Sequence, residues 1–203
     1  MRRRGRWPAR RAAWAVLLAM GLAAAPGPSA AAPVDYRLTP THSFVHFEWP
    51  HAGLSTLRGR FDRVAGRITL DREARRGQGQ VQLRLDSVNT GRPALDAALR
   101  KALGAEVEAS ATVAIDTLRF DGDRPLAAGG RLAWRGRDLA LDLQAERFNC
   151  YLNPLLRREV CGGDFSVDIE PAALGLVLDP AFGLGGPIRL RVQVEAIRQE
   201  PGE

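Results

Sequence analysis

Only two cysteines and three histidines occur in this chain of 203 residues. No Gly-x-Ser-x-Gly elbow, Walker loop or His-Glu-x-x-His run is present. The usual signatures of a serine hydrolase, a P-loop enzyme and a zinc peptidase are therefore missing. Neither Cys-x-x-Cys nor Cys-x-x-Cys-His occurs, which removes the common thiol redox pair and the c-type haem attachment. Gly77-x-Gly79 lacks the strand-to-helix context of a phosphate-binding loop and reads as a hairpin. The paired carboxylates Asp121/Asp123 and Glu106/Glu108 sit in polar, turn-like stretches and read as solvated loops. There is also no internal repeat, low-complexity tract or long Pro/Gly linker. No catalytic residue, metal ligand set or required cofactor is assigned.

An excess of basic charge is present only in the first residues. Arg2, Arg3, Arg4, Arg6, Arg10 and Arg11 precede an apolar run from Ala12 to Ala25, and Ser29-Ala30-Ala31-Ala32 follows. A charged start, a short apolar stretch and small residues are the parts of a secretory signal peptide, expected over 1–32. The apolar run is shorter than the roughly 20 residues a membrane-spanning helix needs. The whole chain carries 29 Lys+Arg against 23 Asp+Glu, and the six leader arginines account for the entire net charge of +6. The remaining chain is balanced, and its arginines alternate with acids, as in Arg84/Asp86 and Arg137/Asp138. That is a solvated outer face and not the basic stripe of a nucleic-acid binder. Export predicts a periplasmic protein with one domain over 33–203.

What the chain does have is alternation. From Tyr36 to Asp71 apolar residues recur at every second position: Ser43, Val45, Phe47 and Trp49 point one way, His42, Phe44, His46 and Glu48 the other. Strand-like runs follow near 56–62, 65–71, 80–86, 111–120, 129–136, 138–147, 164–170 and 187–197, many of them separated by Gly, Asp or Asn. Ile188, Leu190, Val192 and Val194 against Arg189, Arg191, Gln193 and Glu195 give the cleanest alternation. Short strands with turn signals predict an all-β sandwich or barrel. One stretch breaks the period: Leu95, Leu99 and Leu103 fall four apart after Pro93, which predicts a short helix capping the sheet.

The inward face begins with Val45, Phe47 and Trp49 and continues through Phe61, Ile68, Leu83 and Leu85. It runs on through Ile115, Leu132, Trp134, Leu141 and Phe165, with Leu70, Val113, Leu143 and Val167 on the same side. An eight-stranded barrel is just wide enough to be filled by such side chains or to hold one small ligand. His42, His46 and His51 cluster in sequence, but on a strand His42 and His46 stand about 13 Å apart at about 3.3 Å per residue. Zinc holds each nitrogen at about 2 Å, so a metal would need ligands from elsewhere. Ser43, His42 and His51 are candidates for a polar mouth by position. In an oxidising compartment Cys150 and Cys161 are expected to form a structural disulfide across a compact loop between strands.

Several segments together resemble YceI-like domains. They are Tyr36, His42-Ser43, Phe47, His51-Ala52-Gly53, Gly59-Arg60-Phe61 and Gly66 to Asp71, then Ser87-Val88-Asn89-Thr90-Gly91, Asp96 and Leu99-Arg100. Gly130-Arg131-Leu132, Arg135-Gly136 and Cys161-Gly162-Gly163-Asp164-Phe165 complete the set, which spans about Val34 to Ile197. The chain departs from the pattern at Ala109-Ser110-Ala111-Thr112 and over 172–186. The resemblance implies a lipocalin-like antiparallel barrel of about eight strands, exported from bacteria. Such a barrel would hold a polyisoprenoid lipid or an isoprenoid quinone on the inward residues above, Ser43 included. It implies a carrier and not an enzyme, with transient contact to the inner membrane or a membrane redox protein. A lipid-modifying enzyme with a histidine or metal site, and a filled-core interaction module, are the alternatives.

Overall fold

The structure, a computed structural model, describes residues 32–107, 109–177, 179–200 and 202. The expected signal segment lies outside these residues, apart from Ala32. Eleven strand segments form one antiparallel sheet: β1 (Val34–Leu38), β2 (Phe44–His51), β3 (Ser55–Phe61), β4 (Val64–Asp71), β5 (Arg76–Arg84), β6 (Val88–Asn89), β7 (Ser110–Asp121), β8 (Arg124–Trp134), β9 (Arg137–Asn153), β10 (Arg158–Ile169) and β11 (Ile188–Arg198). One helix, α1 (Pro93–Ala102), joins β6 to β7.

The sheet closes because one edge of β11 pairs with β10 and the other with the first two segments in turn. Tyr36 faces Arg198 and Leu38 faces Ala196 on β1, while Phe44 faces Gln193 and Glu48 faces Arg189 on β2. β1 and β2 are therefore two halves of one bent strand. The same bend divides β3 from β4 and β5 from β6, since β4 pairs with β1 and β5, and β3 with β2 and β6. Read as bent strands, the eleven segments make a closed, eight-stranded up-and-down barrel. This confirms the expected fold class. Closure gives each bent strand a neighbour on either side, and ladder edges stay open near the capped end, as along residues 55–59 of β3.

The bend is fixed by backbone chemistry at Glu195. Its carbonyl accepts from the Thr39 N–H (2.8 Å), the Thr39 hydroxyl (3.0 Å) and the Ser43 hydroxyl (3.2 Å). The Glu195 N–H donates back to Ser43 Oγ at 3.2 Å. Ser43 is fully buried, so its hydroxyl replaces the ladder bonds that the bend removes. Ser43 was expected on the ligand-facing surface. In the structure Ser43 belongs to neither internal void described below.

Two glycines serve close packing. A Cβ at Gly77 would lie 2.3 Å from Leu118 Cδ1, and one at Gly79 would lie 2.4 Å from Ile68 Cδ1. Both sit inside β5, where neighbouring side chains lie across the backbone, and the turn itself is at 72–75. The hairpin expected at Gly77-Gln78-Gly79 is thus displaced toward the N-terminus. The expected loop between the cysteines is also corrected. β9 and β10 run on through Cys150 and Cys161, which face each other in the ladder and are disulfide-bonded.

One end of the barrel carries α1, the Ala52-Gly53 and Arg135-Gly136 turns, and the long connection 170–187. The helix is anchored by Asp96, whose Oδ1 accepts from the Thr90 N–H (2.7 Å) and the Thr90 hydroxyl (2.6 Å). Asn89 Oδ1 accepts from the Gly91 N–H at 2.9 Å and Gly91 takes φ +74°, turning the chain into the helix. Its buried face, Leu95 and Leu99, points at the barrel. At the opposite end Tyr36 Oη donates to Glu159 Oε2 (2.8 Å), while Arg72 donates to Glu159 Oε1 (2.7 Å). Outside, Arg189 lies opposite Asp168 in the ladder and donates two hydrogen bonds to it. Such exposed pairs add little stability each.

Two outcomes are expected. Replacing both cysteines by alanine reopens a covalent loop of sequence separation 11, which should cost about 2–3 kcal/mol in urea unfolding; a loss below about 1 kcal/mol would contradict the structural role. Burial, then the hydrogen bond and charge of Glu159, push the Tyr36 phenol up to about 12. Because the folded value is raised, this contribution is complete below about pH 10 and disappears as pH rises toward 12. The urea midpoint should therefore fall more steeply between pH 10 and 12 in the parent than in Tyr36→Phe. Parallel curves would refute the assignment.

Candidate functional site: an apolar barrel interior

The alternation of the strands sends one apolar row from each into the barrel, and the rows do not meet in the middle. Two adjoining voids remain. The upper one, beneath α1, has a volume of about 80 Å³ and is walled by apolar residues from Phe47, Trp49 and Phe61 on the first two bent strands to Trp134, Ile169 and Ile188 opposite. Leu99, Ala102 and Leu103 from the helix and its end form its roof, together with Leu174 and Leu176 of the long connection. The lower void, toward the Tyr36 end, has a volume of about 170 Å³ and is likewise apolar, with Val45, Ile68, Ile115, Leu141 and Phe165 among its walls. Leu83, Leu132 and Leu190 line both voids and form the waist between them.

All the inward candidates except Ser43 are brought to this interior. Phe47, Trp49, Phe61, Leu85 and Trp134 face the upper void, and Val45, Ile68, Ile115, Leu141 and Phe165 the lower. Leu83 and Leu132 reach both. The local sequence explains the placement of the first group. Gly59 lies directly opposite Phe47, and a Cβ there would stand 2.4 Å from Phe47 Cζ. Its absence lets the Phe47 ring lie flat across β3, where it packs against Phe61 with centroids 5.8 Å apart. Arg60, between Gly59 and Phe61, points outward and lies 4.8 Å over the Phe44 ring.

Sequence reasoning missed part of the lining. Leu174 and Leu176 fall in a glycine-containing connection with no strand periodicity, so nothing local marked them as inward. Ile188, Leu190, Val192 and Val194 carried a clear signal in their alternation, and all of them line a void. Tyr36, at 1% exposure, and Leu38 close the lower end.

The three histidines do not line either void. His42 is exposed beside Thr41, with the hydroxyl 3.0 Å from Nδ1. His46 lies on the outer face of β2, its ring 6.1 Å from that of Phe44, and burial followed by the nearby Arg60 cation lowers its pKa. His51 sits at the capped end, bridged to Leu184, with Nδ1 3.4 Å from the Ser55 hydroxyl. Among the described residues, the one grouping of potential metal-ligating atoms is Cys150, Glu159 and Cys161, whose sulfurs are bonded to each other.

Two residues of the upper wall carry a buried polar atom. The indole N–H groups of Trp49 and Trp134 are buried and have no hydrogen-bond partner. A third buried atom, Asp62 Oδ1, has the Arg60 guanidinium beside it and is compensated by charge. A buried donor without an acceptor costs about 1–3 kcal/mol, so native proteins keep few of them.

Comparison with solved structures finds the same architecture in other proteins. BcnA from Burkholderia cenocepacia superposes with a TM-score of 0.64 at 12% identity, covering 78% of this chain and 98% of that one. A polyisoprenoid binding domain from Saccharophagus degradans, implicated in plant cell wall breakdown, gives 0.62 at 18% identity over 82% of this chain and 99% of its own. The YCEI protein of Campylobacter jejuni gives 0.61 at 19% identity, covering 72% and 88%. Comparison with curated protein sequences finds no match. The family model for the YceI-like domain matches residues 36–196, nearly the whole barrel from the bend-forming β1 to the closing β11. On that match and on the closed barrel, the chain belongs to the family of YceI-like domains.

Proposed function

We propose that the protein is a periplasmic binding and carrier protein that holds a long polyisoprenoid lipid or isoprenoid quinone inside its barrel. The observation that carries this reading is the pair of adjoining apolar voids. Protein interiors are ordinarily packed as densely as organic crystals. At about 24 cal/mol per Å³ of unfilled space, the lower void of about 170 Å³ corresponds to about 4 kcal/mol of forgone packing. An apolar chain threaded past the waist would recover that loss and add about 25 cal/mol for each Å² of its own surface removed from water. Membership of a family with a polyisoprenoid-binding relative supports the ligand class.

Two further features support a carrier. The leader over 1–32 supports export. At the end of the barrel away from α1, the β9–β10 hairpin exposes Leu152 and Leu155 beside Arg157, a combination suited to brief contact with an anionic membrane surface. The unfilled interior weighs against a filled-core interaction module. The histidines, outside both voids, weigh against an enzyme that works on the enclosed ligand through them.

Ala128 is buried and lines the lower void. Ala128→Phe should fill that space, weaken binding of a long-chain polyprenol at least tenfold, and leave the melting temperature unchanged or higher. Unchanged polyprenol affinity in a folded variant would count against an interior site.

A further inference from the structure

We propose that the tip of the β9–β10 hairpin is a membrane-docking element that brings the Tyr36 end of the barrel to an anionic bilayer surface. The proposal deepens the carrier reading above, on which it rests, by naming the surface and the residues that meet it. β9 and β10 stay paired as far as Asn153 and Arg158, whereas the β8–β9 ladder ends at Ala127 and Gln144 and the β10–β11 ladder at Val160 and Ile197. The hairpin therefore outruns its neighbours on both sides. Its projecting end is apolar: Leu155 and Leu152 are 92% and 70% exposed, and Tyr151 and Leu156 are exposed beside them. These four make up half of the eight large apolar residues exposed among the described residues. A concentration of that kind marks an interaction surface.

The turn is built so that it can leave water. Pro154 has no N–H to satisfy. The N–H groups of Leu155 and Leu156 both donate to Asn153 Oδ1 at 3.0 Å, and that of Arg157 donates to the Asn153 carbonyl at 2.8 Å. Asn153 Nδ2 donates in turn to Tyr151 Oη at 3.0 Å. No backbone donor from 154 to 157 depends on water, so moving the turn into an apolar phase leaves no N–H there without an acceptor. Cys150 and Cys161, bonded across the root of the hairpin, hold its two strands together.

Charge selects the kind of surface. Residues 151–158 include Arg157 and Arg158 and no carboxylate. The next acid, Glu159, is held by Tyr36 and Arg72. Arginines beside exposed leucines suit a bilayer with negative head groups: the leucines reach the acyl boundary while the guanidinium groups stay among the phosphates. A protein partner fits less well, because a specific interface takes about 800 Å² from each side and a single turn does not supply it. At its root the same hairpin lines the lower void through Phe148, Cys161 and Gly162 and carries Glu159 of the clasp. Docking by the tip thus turns the lower void, behind its clasp, toward the membrane.

The test is co-sedimentation of the protein, isolated from a bacterial periplasm, with vesicles of phosphatidylglycerol and phosphatidylethanolamine and with vesicles of phosphatidylcholine alone. The parent should bind the anionic vesicles more tightly than the neutral ones, and added salt should narrow the difference. Leu152→Ser combined with Leu155→Ser should weaken binding to the anionic vesicles at least tenfold, and Arg157→Gln about fivefold. These positions are exposed, so melting temperatures should stay within about 2 °C of the parent. In Leu155→Trp, lipids brominated along their acyl chains should quench the added indole. Polyprenol affinity, measured without vesicles, should be the same in the parent and the double serine variant. Equal vesicle binding by the parent and that variant, or an added indole that the bromines do not reach, would overturn the docking proposal and leave the barrel reading standing. A parent that sediments as a dimer while the double serine variant is a monomer would assign the patch to a second copy of the chain and overturn the proposal too. Failure of the parent to bind polyprenol without vesicles would overturn the carrier reading, and this proposal with it.

Discussion

Closure of the sheet through β11 is the constraint on which everything else depends. β11 offers one edge to β10 and divides the other between β1 and β2, with Glu195 as the pivot that Thr39 and Ser43 grip. Without that pivot the first strand would have to choose one half of its partner, and the other half would present open ladder groups to water. With it, the bend passes from β1/β2 to β3/β4 and β5/β6, and the barrel closes with eight strands. That number is what fixes the width of the interior, and the width is what leaves room that Leu, Ile, Val and Phe side chains do not fill.

The two ends of the barrel differ in kind. The Tyr36 end is sealed by a polar clasp in which the phenol and Arg72 share Glu159. The other end is roofed by α1 and the 170–187 connection, apolar elements that join the barrel through side-chain packing more than through ladder bonds. Packing of that type yields more readily than a closed ladder. The unpaired indoles lie just beneath that roof.

Much of this was legible in the sequence because strand alternation is a local code. Phe47 and Trp49 on one parity and His46 and Glu48 on the other fix which face is buried, and β11 repeats the code without a break. The helix was legible for the same reason, from Leu95, Leu99 and Leu103. What could not be read depends on contacts distant in sequence. Ser43 has the parity of an inward residue, but its hydroxyl is taken by a backbone more than a hundred residues away. Gly77 and Gly79 look like turn residues until Leu118 and Ile68 are laid over them. Leu174 and Leu176 become lining only because the connection that carries them folds back over the mouth. The missing partners of Trp49 and Trp134 are a three-dimensional property, invisible to any reading of the chain.

The central claim is that the interior is a binding site and not an imperfectly packed core. The most direct test is mass spectrometry of the protein isolated under native conditions from a bacterial periplasm, followed by extraction into organic solvent. The account predicts one apolar isoprenoid per chain. A protein whose native mass equals that of its polypeptide, and which stays so after incubation with membrane lipids, would contradict it.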